Sequence, residues 1–331
     1  MRIHGLMVIR DEDDIIAQSL PHLLDWIDSV YVLDMGSTDA TWEIVNEIAS
    51  KDRRVVPFKS CAYRFDDSVR GFIFETFRSR FRNGDWIVRT DADEIYHVDP
   101  RDFLKERVQT HESCVYLAWY YFRLTTKEVE DYESGKTILA EDRSRPVTER
   151  RRYYKIPDYS EPRMFRYRHS MKWPASRTIP FNAGCPAKER ILIRHYPHRD
   201  PEQMRKRYRL RAEMMRLNAG AGPHWKLEEW QKDVIEIDSH SGATRERTQA
   251  AEGLAAADGH TAGPLYFWQP GTALPPITGK QHLPHWSKQA VQRFLLPGLV
   301  QVIDPFRPPW PPGSEPALLP KEHRKIAVHE A

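Results

Sequence analysis

Four short apolar runs in the first ninety residues are separated by segments of a different period, and this alternation constrains the fold more than any other feature. Residues 3–9, 29–33, 55–58 and 86–90 are apolar and short enough for buried strands. Between them, residues 11–27 carry Ile15, Ile16, Leu20, Leu23, Leu24 and Ile27 at helical spacing. Residues 41–50 repeat that spacing with Trp42, Ile44, Val45 and Ile48, and residues 72–81 form a third helical segment. Gly36 turns the chain, and Ser37, Thr38 or Asp39 caps the second helix. Strand and helix alternating in this way predict an α/β fold, a mixed but mainly parallel sheet flanked by helices.

Later signals are sparser. Residues 114–124 are aromatic and β-branched and read as a strand, and residues 191–195 as another. Residues 200–218 read as a helix with Asp200 as cap, Pro201 in the first turn, Gln203 closing a capping box, an apolar stripe of Met204, Tyr208, Ala212 and Met215, and Gly220 as stop. Residues 239–263 are small and polar, as in a linker, and 13 of the 25 prolines lie from Pro264 onward. The stretch 304–313 is expected to run as extended chain over the core or toward a partner. The expected organisation is one α/β domain over 1–220, with halves 1–100 and 101–220, and a helical, Pro-rich extension over 221–331.

Composition narrows the class. No apolar run approaches the roughly 20 residues that span a bilayer, and the N-terminal MRIHGLMVIR reads as a buried strand rather than a leader. Three cysteines, Cys61, Cys114 and Cys185, without CxxC spacing, support neither a disulfide framework nor a cysteine zinc site. A cytoplasmic protein is the expectation. The net charge of +3 conceals a segregation: residues 1–100 hold 12 Lys and Arg against 19 Asp and Glu, while residues 143–172 hold ten against three and residues 188–211 nine against three. Such a basic middle suits a polyanionic partner.

The acidic half concentrates its charge at strand ends. Asp91-Ala92-Asp93-Glu94 follows the strand at 86–90 directly. Side chains at i and i+2 of extended chain share a face, so Asp91 and Asp93 can converge as hard oxygen ligands for a divalent cation, which in turn holds phosphate oxygens. Asp34 ends the second strand before the Gly36 turn, and Arg10-Asp11-Glu12 follows the first. Three polar strand ends on one sheet edge mark the place where open α/β sheets bind ligands.

Three segments together resemble the family 2 inverting glycosyltransferases of the GT-A fold: Val8-Ile9-Arg10-Asp11-Glu12, Asp34-Met35-Gly36-Ser37-Thr38-Asp39-Ala40-Thr41, and Asp85-Trp86-Ile87-Val88-Arg89-Thr90-Asp91-Ala92-Asp93-Glu94. The resemblance is strong over about residues 1–100 and fades toward 215. It implies a GT-A, Rossmann-like catalytic domain in which Arg10, Glu12, Asp34, Met35 and Gly36 line the pocket for base and ribose. It further implies that Asp91 approaches ribose or metal and that Asp93 holds Mn²⁺ or Mg²⁺ against the diphosphate of a UDP-, GDP- or dTDP-linked sugar. His195, in Arg194-His195-Tyr196-Pro197, resembles a late family histidine that returns to the metal. Met35 stands where the family has a second acid, and Asp11 where it has Asn.

Inverting transfer needs a base for the acceptor hydroxyl and counter-charge for the leaving diphosphate. Glu161, in Ser160-Glu161-Pro162-Arg163, is the expected base, with Asp158 second, and Arg78, Arg163 or Arg199 the expected counter-charge. Trp119, Tyr120, Tyr121, Tyr153, Tyr154, Tyr159 and Trp173 among arginines suggest an acceptor cleft for a glycan or glycolipid. Residues 286–302, apolar and basic in alternation, with Trp310, suggest peripheral contact with the inner face of a membrane. Two other readings compete. A nucleotidyltransferase would usually carry a Gly-rich, basic loop after its first strand, where this chain has Arg10-Asp11-Glu12-Asp13-Asp14. A basic nucleic-acid-binding protein without catalysis leaves the acidic strand ends unexplained, so no nucleic acid partner is expected.

Overall fold

Seven residues, all but one buried, open the chain as β1 (Ile3–Ile9). There follow α1 (Ile16–Leu24), β2 (Ser29–Asp34), α2 (Thr41–Lys51), β3 (Val55–Ser60), α3 (Val69–Phe77), β4 (Trp86–Thr90), β5 (Glu94–Tyr96) and α4 (Pro100–Glu106). The chain continues through β6 (Cys114–Arg123), α5 (Thr126–Glu133), α6 (Leu139–Arg143), α7 (Val147–Arg150), β7 (Tyr153–Lys155), β8 (Pro162–Arg166), β9 (Ile191–His195), α8 (Pro201–Arg216) and β10 (Tyr266–Phe267). This computed structural model describes residues 1–64, 68–157, 160–175, 177–181, 183–216, 230–235, 265–274, 310–311 and 313–319. The chain divides into two compact units, one of residues 1–117, 161–191 and 282–331, the other of residues 118–160 and 192–281.

In the first unit β1 is central. It pairs in parallel with β2 and with β4, and β2 pairs in parallel with β3, as the strand–helix alternation predicts. Pro57 sits on β3 at the end of the sheet order, where a residue without an N–H is tolerated. On the other side of β4 the sheet turns antiparallel through β8, which pairs with the first residues of β6. Sequence periodicity does not reveal β8, because its five residues, Pro-Arg-Met-Phe-Arg, are too few and do not alternate polar with apolar. One face buries Leu6, Leu33, Phe74, Ile87, Phe165 and Trp173 in a common cluster. Each such side chain contributes roughly 1.5–3 kcal/mol relative to exposure.

Part of the Pro-rich tail lies on this unit. Trp310 is buried against Phe72 with ring centroids 5.8 Å apart, and Glu315 accepts from the Tyr63 hydroxyl and pairs with Lys59, each at 2.6 Å. Trp310 therefore packs on protein, and the neighbouring residues 286–302 lie outside the described residues. Among those described, no helix is long and apolar enough to cross a membrane.

The second unit pairs β6 with β7 and β7 with β10, all antiparallel. Tyr120 and Tyr154 meet edge to face at 5.5 Å, and Phe122 stacks on Tyr196 at 4.6 Å. Most of the aromatic set expected to line an acceptor cleft is core instead: Trp119, Tyr120, Tyr154 and Trp173 are buried. Tyr159 lies outside the described residues. Helix α8 starts where its signals place it, with Asp200 Oδ1 accepting from the Gln203 amide at 2.8 Å. Gln203 bonds back to the Arg199 amide at 3.2 Å, one residue before the cap. Its buried stripe is Met204, Tyr208 and Met214.

Candidate functional site

Parallel pairing brings the polar strand ends together. Ile9 stands opposite Asp34, and Met7 opposite Thr90, so the loops after β1, β2 and β4 all leave from one edge of the first unit. Two of these loops are sewn together. The Asp11 amide donates to Ser37 Oγ and the Glu12 amide to Thr41 Oγ1, both at 2.8 Å. In return Asp11 Oδ1 accepts from the Thr38 amide at 2.8 Å. Asp11 sits at φ 55°, a left-handed conformation in which Asn and Asp are the best tolerated residues with a side chain. That backbone demand and the bonds accepted from Thr38 call for a short side chain bearing an acceptor oxygen, which Asp11 supplies.

Gly36 has φ +80°, and a Cβ there would lie 2.9 Å from Ala62 Cα. Only glycine fits this turn. Asp34 is fully buried. Its carboxylate accepts from the Ser37 amide at 3.1 Å and from the hydroxyls of Ser37 and Ser60. Burial pushes this carboxyl above its ordinary range, against the pull of those hydrogen bonds. Its oxygens organise the turn. Met35, also buried, packs in the core cluster of the unit. Of the residues expected to line a pocket for base and ribose, Arg10, Glu12 and Gly36 are half-buried, while Asp34 and Met35 are buried.

The β4 loop carries the densest charge. Asp91, half-buried, accepts from Arg70 on Oδ1 and from Arg163 on Oδ2, the latter at 3.0 Å. Arg163 also donates to Glu94, and both side chains are only 1% exposed. Burial would raise the Asp91 carboxyl, but Arg70 and Arg163 overcome it and hold the group below the usual carboxylate range. Burial would likewise draw the Arg163 guanidinium down, and Glu94 and Asp91 hold it up. Asp93 and Glu94 are buried beside them. Because β8 runs antiparallel to β4, with Val88 opposite Met164, Glu161 reaches the same edge. Its Oε2 accepts from Arg89 at 3.4 Å, and its side chain is 38% exposed. The other expected base, Asp158, lies outside the described residues.

Arg78 is not at this edge. It donates to Glu75 at 2.9 Å and to the carbonyls of His169 and Met171, in the turn after β8, beyond the opposite ends of the strands. The arginine of α3 that reaches the acids is Arg70, eight residues earlier. Arg70, Arg89 and Ser60 are the residues of this site that sequence reasoning missed. Arg199 is buried in the second unit and donates to the Tyr196 carbonyl at 3.0 Å. His195 also falls in the second unit, stacked on Trp119 at 5.4 Å and edge-on to Tyr121 at 4.8 Å. Among the described residues, no three of His, Cys, Asp and Glu gather as a group that could hold a metal ion.

No family model and no curated protein matches the chain. Solved structures do. A mannosyltransferase from Pyrobaculum calidifontis in complex with GDP-Man and Mn²⁺ is 15% identical over 68% of this chain and 66% of its own, with a TM-score of 0.36. TarS from S. aureus is 17% identical over 38% of this chain and 22% of its own, with a TM-score of 0.25. TarS in complex with UDP-GlcNAc is 18% identical over 37% and 34%, with a TM-score of 0.28. The chain thus spans between about a fifth and a third of these TarS chains. Similarity at this level carries no activity over to the chain, whose chemistry has to be read from its own residues.

Proposed function

We propose that this chain is a nucleotide-sugar-dependent glycosyltransferase that moves a sugar to an acceptor hydroxyl with inversion, its donor bound at the edge where β4, β1 and β2 end. The observation that supports this reading most is the convergence there of buried acids, buried arginines and one accessible carboxylate. Arg10 and Glu12, beside the Gly36 turn, face the base and ribose. Arg70, Arg163 and Arg89 supply counter-charge to the diphosphate as it leaves.

A divalent cation fits the donor set in kind: Asp91 and Asp93 offer the hard carboxylate oxygens that Mg²⁺ and Mn²⁺ take. Bound there, it would neutralise charge on the diphosphate. Both oxygens of Asp91 are engaged by guanidiniums, so a cation competes with Arg70 and Arg163 for that residue. Among the described residues no three such ligands gather, so Asp91 and Asp93 would be the residues to hold the cation and would leave it free to take phosphate oxygens.

The reaction balances within these residues. Glu161 takes the proton of the acceptor hydroxyl while that oxygen attacks the anomeric carbon on the face opposite the diphosphate. The bond from that carbon to the diphosphate oxygen breaks, its electron pair stays on the diphosphate, and the guanidiniums hold the new charge. The acceptor we propose is a surface glycan or glycolipid. A thermal-stability panel of UDP, GDP and dTDP, each with and without Mn²⁺ or Mg²⁺, tests the donor class. One nucleotide should raise the melting temperature, and more so with metal. A flat panel would remove the reading.

A further inference from the structure

The second unit contains a cleft of about 280 Å³, built on the segment from α5 to β7 with Phe267 of β10, that the proposed donor site does not use. Its floor is an ion-pair network. Arg150 and Arg151, with side chains 0% and 3% exposed, both reach Asp142 Oδ2, at 3.2 and 2.9 Å. Arg151 also donates to Glu128 at 3.2 Å, and the Tyr132 hydroxyl donates to Asp142. Burial would raise the Asp142 carboxyl, but Arg151, followed by Tyr132 and Arg150, holds it below the usual range. These buried charges have partners, so the floor is fixed in place.

The mouth differs. Among the described residues, the Arg145 guanidinium meets only Asp142 Oδ1, at 3.8 Å. Arg152 forms one side-chain hydrogen bond, from Nε to the Glu149 carbonyl at 2.8 Å. The lining carries four arginines and four acids. Asp142 and Glu128 are taken by Arg150 and Arg151, and Asp131 by Lys127 and Lys136 at 2.8 and 3.3 Å, which leaves Arg145 and Arg152 facing Glu149. Beside them Phe267, 47% exposed, stands edge to face with Tyr153 at 5.1 Å, held there by the β7–β10 pairing. An aromatic face next to charged hydrogen-bonding groups is the set a pyranose needs: its C–H face lies on the ring and its hydroxyls reach Arg and Glu. With the other acids already paired, Arg145 and Arg152 against Glu149 favour a sugar that carries its own carboxylate, which arginine reads bidentately. The volume is just below the range of about 300–1,000 Å³ for drug-sized ligands and suits one or two sugar rings.

We propose that this cleft binds an acidic sugar unit of a glycan chain, a pyranose bearing a carboxylate, seated on Phe267 and held by Arg145 and Arg152. Nothing in the site depends on nucleotide, and the test is run without any. The full chain is titrated calorimetrically with a hyaluronan tetrasaccharide, which alternates glucuronate with N-acetylglucosamine, and separately with neutral chitotetraose and with sulfate. The uronate chain should bind at least tenfold more tightly than the neutral one. Arg145→Gln combined with Arg152→Gln should remove that preference, and Phe267→Ala should weaken binding severalfold, with circular dichroism unchanged. Absent binding, equal affinity for chitotetraose, or an unaffected double variant would overturn the proposal. Sulfate displacing the tetrasaccharide at equal concentration would also overturn it, leaving a general anion site. Nucleotide-dependent stabilisation is measured separately on the same protein preparations, so failure of this site and failure of the donor site give different results.

Discussion

Glu161 and Asp91 stand a few residues from buried arginines, yet their situations differ. Asp91 is held by two guanidiniums and shaped into a fixed surface, whereas Glu161 has one partner at 3.4 Å and keeps 38% of its side chain exposed. The proposed mechanism therefore gives the base role to the second. Glu161→Gln should therefore keep nucleotide binding while transfer falls by a factor of about 10² to 10⁴, the usual contribution of a general base; turnover within threefold of wild type, measured by release of nucleotide, would remove it from the role. A second residue sets a pH limit. His198 is buried 3.7 Å from Asp233, and burial, then Arg123, Arg207 and Arg211, holds its pKa well below the ordinary 6.5. In the unfolded chain His198 takes a proton near pH 6.5, and in the folded chain it does not. Stability should thus fall as pH drops below about 6.5, by up to about 1.4 kcal/mol per unit from this group. Urea unfolding of wild type and His198→Gln at pH 7.5, 6.5 and 5.5 checks it. Equal slopes in the two proteins would contradict the assignment.

The turn between β2 and α2 is the element on which the site's shape depends. It joins a positive φ at Gly36, a Cβ-free approach to Ala62, and the oxygens of Asp34, which the hydroxyls of Ser37 and Ser60 hold from two sides. Gly36→Ala adds strain of order 1–3 kcal/mol for a side chain at that φ, besides the contact with Ala62. The variant should be destabilised by at least that much in urea and should lose the nucleotide response together with stability; an unchanged unfolding midpoint would show that the turn relaxes freely. Elements of this kind were partly legible in sequence. The strand, Gly turn and hydroxyl run were readable because each is local chemistry. That Asp34 serves the turn was not, since it depends on Ser60, brought alongside by the parallel pairing of β3. The same limit explains Arg70 and Arg78. Both lie on or next to α3, and eight residues at 1.5 Å each separate their ends of it by about 12 Å. Which end meets the acids is set by the path of the chain between strands, on which local periodicity is silent.

Over the whole chain, the parallel strands of residues 1–90 and the edge they present were legible because a period switching between two and 3.6 has one economical solution. Of the antiparallel strands β6 was legible, while β7, β8 and β10 were not: they are five residues or fewer, and they are assembled from distant stretches. The aromatic residues between them looked like a binding surface, and burial makes most of them core. What survives at this scale is a division of chemistry, with acids and buried arginines at the strand ends of the first unit and an arginine-lined cleft in the second. The central claim concerns the first: that Asp93, on the loop after β4, helps hold the diphosphate of a sugar nucleotide. Calorimetric titration of the nucleotide selected by the stability panel, with Mn²⁺, into wild type and Asp93→Asn tests it most directly. Tight binding by wild type and a loss of at least tenfold in the variant, about 1.4 kcal/mol, is the predicted result. Equal affinity in both proteins, or no nucleotide bound by wild type, would contradict it.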